Sequence, residues 1–182
     1  MRLRTYLEKM SGTTRGSPPR VSNSEIFWSW IGAFVGIASC GALNQYYFSG
    51  QDLTMMIGSF GASAVLAYGA VRSPLAQPRN LVGGHVVSAI VGVIAWKLLH
   101  PFPWVAEAVA VATAIAVMHA TRTLHPPGGA TALIAVIGSP TIHDLGFYYV
   151  LIPATLGPVI LLVVALVVNN IPATRRYPEA WF

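Results

Sequence analysis

From residue 26 to residue 168 the chain alternates apolar runs with short polar joints, a pattern that few folds can satisfy. Six apolar segments stand out, at roughly 26–48, 53–71, 81–99, 104–119, 129–138 and 147–168. A helix needs about 20 apolar residues to cross the hydrocarbon of a bilayer, with a usual range of about 17–25. Segments one, two, three and six meet this length, segment four is marginal, and segment five is too short to cross alone. Only 9% of the residues are charged and 54% are hydrophobic, against about 25% charged in a soluble domain. The sequence therefore predicts an all-α, polytopic transmembrane bundle whose main partner is the lipid bilayer. Disorder needs the opposite composition, and 182 residues allow one compact domain.

A formal charge of +5 raises the question of nucleic acid, but the charges lie in short loops between apolar runs, so no nucleic-acid partner is expected. The single cysteine, Cys40, excludes an internal disulfide and a cysteine-based zinc site, and reads as a small buried residue. Between the N-terminal arm and residue 170 the only acids are Asp52, Glu107 and Asp144, so no chain of carboxylates crosses the membrane. There is no Ser/His/Asp signature, no HExxH, no phosphate-binding Gly-Lys-Ser/Thr loop and no EF-hand pattern. No enzyme activity, metal or cofactor is expected.

Residues 1–25 form a basic arm, with Arg2, Arg4, Lys9, Arg15 and Arg20 against Glu8 and Glu25. Residues 1–10 are predicted as a short helix on an anionic leaflet, broken by Ser17-Pro18-Pro19. No apolar stretch with a small-residue cleavage site follows at signal-peptide length, so the arm reads as retained. Residues 26–170 are the membrane domain and 171–182 a cytoplasmic tail. If segments two and five cross, six crossings put ten basic residues on one side and only Lys97 on the other. If both dip in and return, the division is eight against three. Positive charge belongs inside, so six crossings are favoured, in a bacterial-type inner membrane with both termini cytoplasmic. Trp28, Trp30, Tyr46, Tyr47, Trp96, Trp104, Tyr148, Tyr149, Tyr177 and Trp181 fall near segment ends and read as interface anchors. Gly32, Gly36 and Cys40, and likewise Gly84, Ser88 and Gly92, are spaced for close helix packing, within or between subunits.

Segments two and five resemble each other. Gly61-Ala-Ser-Ala-Val-Leu-Ala67 aligns without a gap on Gly129-Ala-Thr-Ala-Leu-Ile-Ala135. Three crossings per unit would make this an inverted-topology repeat, an architecture that places solute sites near the midplane at broken helices. Neither Gly-rich stretch can face lipid, because unpaired backbone groups there cost several kcal/mol each.

The chemistry concentrates at Arg122-Thr-Leu-His125-Pro126-Pro127-Gly128-Gly129-Ala-Thr131. The prolines end the preceding helix, the glycines permit close approaches, and a new helix is expected to start near Ala130. Its first N–H groups and positive dipole end can hold an anion. Gly58-Ser59-Phe60-Gly61-Ala-Ser63 is expected to do the same from the opposite face, with Phe60 as an apolar gate. Arg79 and Asn80, in the joint before Gly83-Gly84-His85, share a face with Arg122, and the two arginines either attract anions or only enforce topology. His85 and His119 lie in or at the edge of spans, where an ionisable group suggests function, whereas His100 and His143 read as interface residues.

The stretches 57–64, 73–85 (SPLAQPRNLVGGH) and 125–133 (HPPGGATAL) resemble the signature stretches of the HPP family of integral membrane proteins, over about residues 25–170. That resemblance implies four spanning helices, from which the six-crossing reading departs, and it implies small-anion transport, since some members are associated with nitrite. The expectation is a transporter or channel for a small inorganic anion, most readily nitrite, with two rivals: a pore for a neutral solute, and a membrane subunit that docks a partner through its basic arm. Ser59, Phe60, Gly61, Ser63, Asn80, His85, Pro126, Pro127, Gly128, Gly129 and Thr131 are expected to bind the solute, with Arg79, Arg122 and His125 towards the cytoplasmic mouth. His125 is expected to titrate near neutral pH. A homo-oligomer is expected by analogy.

Overall fold

The structure is a computed structural model that describes residues 9–10, 19–48 and 57–182. Most of the basic arm, Asp52 and the first residues of segment two therefore lie outside the described residues. Helix α1 covers Asn23–Leu43 and runs on into a π-helical turn, Asn44–Phe48. The Ser22 hydroxyl caps it by accepting the Glu25 N–H. Helix α2, Ser59–Ala64, continues as a π-helical turn, Val65–Gly69. A 3-10 turn, Pro74–Ala76, leads into α3, Pro78–Leu99, and then α4, Pro103–Ala120. Helices α5, Pro126–Ile137, α6, Pro140–Leu145, α7, Tyr148–Leu151, and α8, Leu156–Val168, complete the chain.

Prolines open α3, α4, α5 and α6, because first-turn N–H groups have no helical partner to lose. This corrects the expected start of α5 near Ala130. His125 is extended, at φ −140° and ψ 106°, and the helix begins at Pro126 with both prolines in its first turn. Arg122, at φ 58°, turns the chain between α4 and that start.

Among the described residues there is no strand, and four stretches are long and apolar enough to cross a membrane. They are Asn23–Phe48, Pro78–Leu99, Pro103–Ala120 and Tyr148–Val168, the last interrupted between α7 and α8. Helix α5 has 12 residues, about 18 Å of rise, and hydrocarbon is about 30 Å thick. It lies along α3, with Gly92 against Ala132 and Ala135.

The joints sort to two ends. At one end Arg79 donates to Thr121 O, Asn80 to Leu124 O, Arg72 to Thr174 O, and Tyr177 OH to Ala76 O. Burial pushes the Tyr177 phenol pKa above its ordinary value. At the same end Arg175 pairs with Glu25 at 2.8 Å and donates to Ser29, Asn169 and Tyr68 O. The C-terminal tail is thus packed into the bundle. At the other end Trp96 stacks on His143 with ring centroids 3.8 Å apart, and Lys97 sits over Phe147. Two of the expected interface anchors are instead core residues. Tyr149 and Tyr177 are buried and their hydroxyls donate to backbone carbonyls, since a phenol inside an apolar bundle requires an acceptor.

Both small-residue stripes are used within the subunit. Gly32 and Gly36 receive the Tyr68 ring, and the Tyr68 hydroxyl reaches Leu161 O. Cys40 faces Gly157, and Gly157 in turn receives the Phe60 ring. On α3, Gly84 receives His125, Ser88 lies against Gly128, and Gly92 meets the α5 backbone. A Cβ at Gly92 would lie 2.5 Å from Ala132 O, whereas one at Gly61 would meet nothing within 4 Å. Gly92→Val is therefore expected to cost about 1–3 kcal/mol through overpacking, and Gly61→Ala to be neutral or slightly stabilising. Thermal unfolding in detergent measures both; equal effects would contradict this packing.

Candidate functional site

Where the start of α5 meets α2 and α3, five polar side chains are buried together: Ser59, Ser63, His85, His125 and Thr131. Ser63 Oγ lies 2.7 Å from His85 Nε2 and 2.9 Å from His125 Nε2, so one hydroxyl bridges two imidazoles. The other nitrogen of His85 is 2.6 Å from Thr131 Oγ1. Thr131 Oγ1 reaches Ser59 Oγ at 2.9 Å and Pro127 O at 3.3 Å. His125 Nδ1 is 2.8 Å from Leu75 O. Tyr149 OH donates to Thr131 O, and Phe60 meets His85 edge-on at 5.8 Å between centroids. No side chain with a formal charge hydrogen-bonds to these five among the described residues.

Local sequence explains each placement. His85 sits on the face of α3 that carries Gly84 and Ser88, and a Cβ at Gly84 would lie 2.5 Å from His125 Cβ. A Cβ at Gly128 would lie 2.7 Å from Ser88 Oγ and 2.9 Å from Gly84 O. These two glycines let α5 begin against α3, which brings Thr131 to His85. Pro127 is buried and Pro126 is exposed.

Several expected site residues lie elsewhere. Gly61 is exposed, and Gly129 faces Val111 on α4. Arg79 and Asn80 fasten the 121–124 joint, while Arg122 is exposed. His125 is fully buried among the hydroxyls, rather than at a mouth. His119 is exposed and joins no part of the cluster. Helix N–H groups play a smaller part than expected: Pro126 and Pro127 have none, and that of Gly128 donates to His125 O. The donors come from side chains instead. The sequence reading missed Tyr149 and the Leu75 carbonyl, since nothing in the local sequence of either marks a contact made only by folding.

The signature stretches converge on this cluster, and the profile of the family described as "HPP, transmembrane region" matches residues 18–178. The chain belongs to the HPP family. Two transmembrane proteins of Dictyostelium discoideum are similar to it, one 45% identical over 180 residues and the other 42% identical over 181. Each alignment covers 97% of this chain but only 57% and 63% of the relative, so the HPP chain spans about three fifths of their length. No solved structure matches it.

The hydrogen bonds of this HPP cluster determine where its protons sit when both rings are neutral. Leu75 O can only accept, so His125 carries its proton on Nδ1. Its bare Nε2 must then accept from Ser63, whose oxygen in turn accepts from His85 Nε2–H. His85 Nδ1 is left bare and accepts from Thr131, whose single hydroxyl proton is then withheld from Ser59 Oγ and Pro127 O, the two other acceptors it faces. The two histidines are therefore predicted to be opposite tautomers, Nδ1–H for His125 and Nε2–H for His85. Nitrogen NMR of histidine-labelled protein at neutral pH checks this; two rings of the same tautomer would refute it.

Proposed function

We propose that this HPP protein is a transporter or channel for a small inorganic anion, with nitrite the leading solute. The observation that carries the reading is the buried cluster of three hydroxyls and two imidazoles, with no carboxylate, where two short helices meet inside an otherwise apolar bundle. Polar groups are costly in such a place and usually mark a solute path. Hydroxyl and imidazole donors suit a small anion, which needs hydrogen bonds in exchange for lost water. A cavity of about 430 Å³ at one end of the bundle is lined by Arg72, Arg175 and Arg176 with Ser22, Ser73 and Thr174, and by Glu25, which pairs with Arg175 and leaves Arg72 and Arg176 in excess. Arginines gathered there, together with Arg79 and Arg122, raise the local concentration of anions.

In this proposal the two short elements carry the chain from one end of the bundle to the other, giving six passages arranged as an inverted repeat. The aligned residues Ser63 and Thr131 support it, because both hydrogen-bond to His85. Positive charge then places the arginine-bearing end and both termini in the cytoplasm, in a bacterial-type inner membrane. Assembly as a homo-oligomer belongs to the same proposal.

A pore for a neutral solute is the second reading, favoured by the absence of any formal charge in the cluster. Uptake of nitrite into proteoliposomes, with nitrate, formate, ammonia and urea as competitors, separates the two. Nitrite uptake above protein-free vesicles is expected, inhibited by the anions and insensitive to ammonia and urea. Ser63→Ala is expected to lower it about tenfold, matching loss of hydrogen bonding on the order of 1.4 kcal/mol. Uptake no faster than in protein-free vesicles overturns the reading.

A further inference from the structure

The five polar side chains form one unbranched path, Ser59–Thr131–His85–Ser63–His125, with every link between 2.6 and 2.9 Å. Hydroxyls and imidazoles alternate from Thr131 onward. Each of these groups can accept a proton on one side and release one on the other. We infer that this path is a proton relay, and that the anion proposed above moves together with one proton. The inference rests on the transport reading and names its coupling ion.

The transfer can be followed atom by atom. In the neutral arrangement every donor from Thr131 onward points toward His125. A proton arriving on Thr131 Oγ1 sends the Thr131 hydroxyl proton to His85 Nδ1. His85 passes its Nε2 proton to Ser63, and Ser63 passes its own to His125 Nε2. His125 then holds a proton on each nitrogen and one positive charge, and each hydrogen bond between Thr131 and His125 has reversed. The reversed state has acceptors ready: Thr131 can now donate to Ser59 Oγ at 2.9 Å or to Pro127 O at 3.3 Å, neither of which it needs in the neutral state.

The surroundings leave the added charge without a protein partner. The titratable groups packed nearby are the two histidines themselves, Tyr149 from α7, whose hydroxyl is held by Thr131 O, and Cys40 from α1, facing Gly157 O. No Asp, Glu, Lys or Arg among the described residues hydrogen-bonds to the path. A buried unpaired cation is costly, so the proton is retained only while an anion neutralises it. That linkage yields one proton per anion.

The test uses proteoliposomes containing the full chain, a trapped pH-sensitive dye and an inward nitrite gradient, with protein-free vesicles subtracted. Nitrite uptake with about one proton per nitrite is expected. Thr131→Val, which keeps the shape but removes the central hydroxyl, is expected to lower proton uptake at least tenfold. Protein-dependent nitrite uptake without proton uptake would overturn the relay and leave the transport reading standing. No protein-dependent nitrite uptake would overturn both. A measurement on the unsubstituted protein guards against misfolding of the variant: nitrogen NMR should show the proton of His85 move from Nε2 to Nδ1 when nitrite is added at acid pH. A proton that stays on Nε2 under those conditions excludes the relay.

Discussion

The backbone of α3 at Gly84 approaches His125 so closely that a side chain on either neighbour's scale would not fit. This contact fixes where α5 can begin, and the rest of the central architecture depends on it. An α5 that starts one turn later would carry Thr131 away from His85 and leave Ser63 with one imidazole to satisfy instead of two. In water such a loss would be repaired by solvent. In an apolar bundle the unpaired groups would have to be satisfied by protein or cost several kcal/mol each, so the glycine contact and the polar cluster stabilise each other.

The same constraint explains why the polar groups are so evenly paired. Among the described residues, no buried side-chain nitrogen or oxygen lacks a partner. At the arginine-bearing end, Arg175 exchanges water for a carboxylate, two backbone carbonyls and two side-chain oxygens. In the centre, neutral groups serve instead, because a fixed charge there would need a fixed counter-charge. A cluster built from hydroxyls and imidazoles, with no carboxylate, lysine or arginine, avoids that burden.

The membrane class, three of the four long helices and the helix break at the HPPGG stretch were legible in the sequence, because each depends on local composition or on residues with restricted backbones. Segment two, expected to be long enough to cross, is among the described residues the short α2 with its π-helical turn, and the marginal segment four is the 18-residue α4. Ser63, His85, His125 and Thr131 were also legible as polar residues in places where polarity is costly. Their convergence was expected around a solute, but their direct hydrogen bonds to one another were not. Ser63 and Thr131 are 68 positions apart, and only the packing of α2 and α5 on opposite sides of His85 joins them. The glycines at 61 and 129 lie outside the polar cluster for a related reason. Glycine marks a close approach only where a neighbour is near, and at these two positions the space beside the backbone is open or holds a single valine.

Apolar runs of sufficient length, prolines at helix starts and glycines within them determined by themselves that this HPP chain is a helical membrane protein with interrupted segments. Tertiary structure decided which glycines are contacts, that Tyr149 and Tyr177 donate inward, and that the five polar side chains form a continuous path. The division follows from range. Chain stiffness and transfer from water act over a few residues and can be read along the sequence, whereas a hydrogen bond between distant residues exists only once the backbone has brought them together.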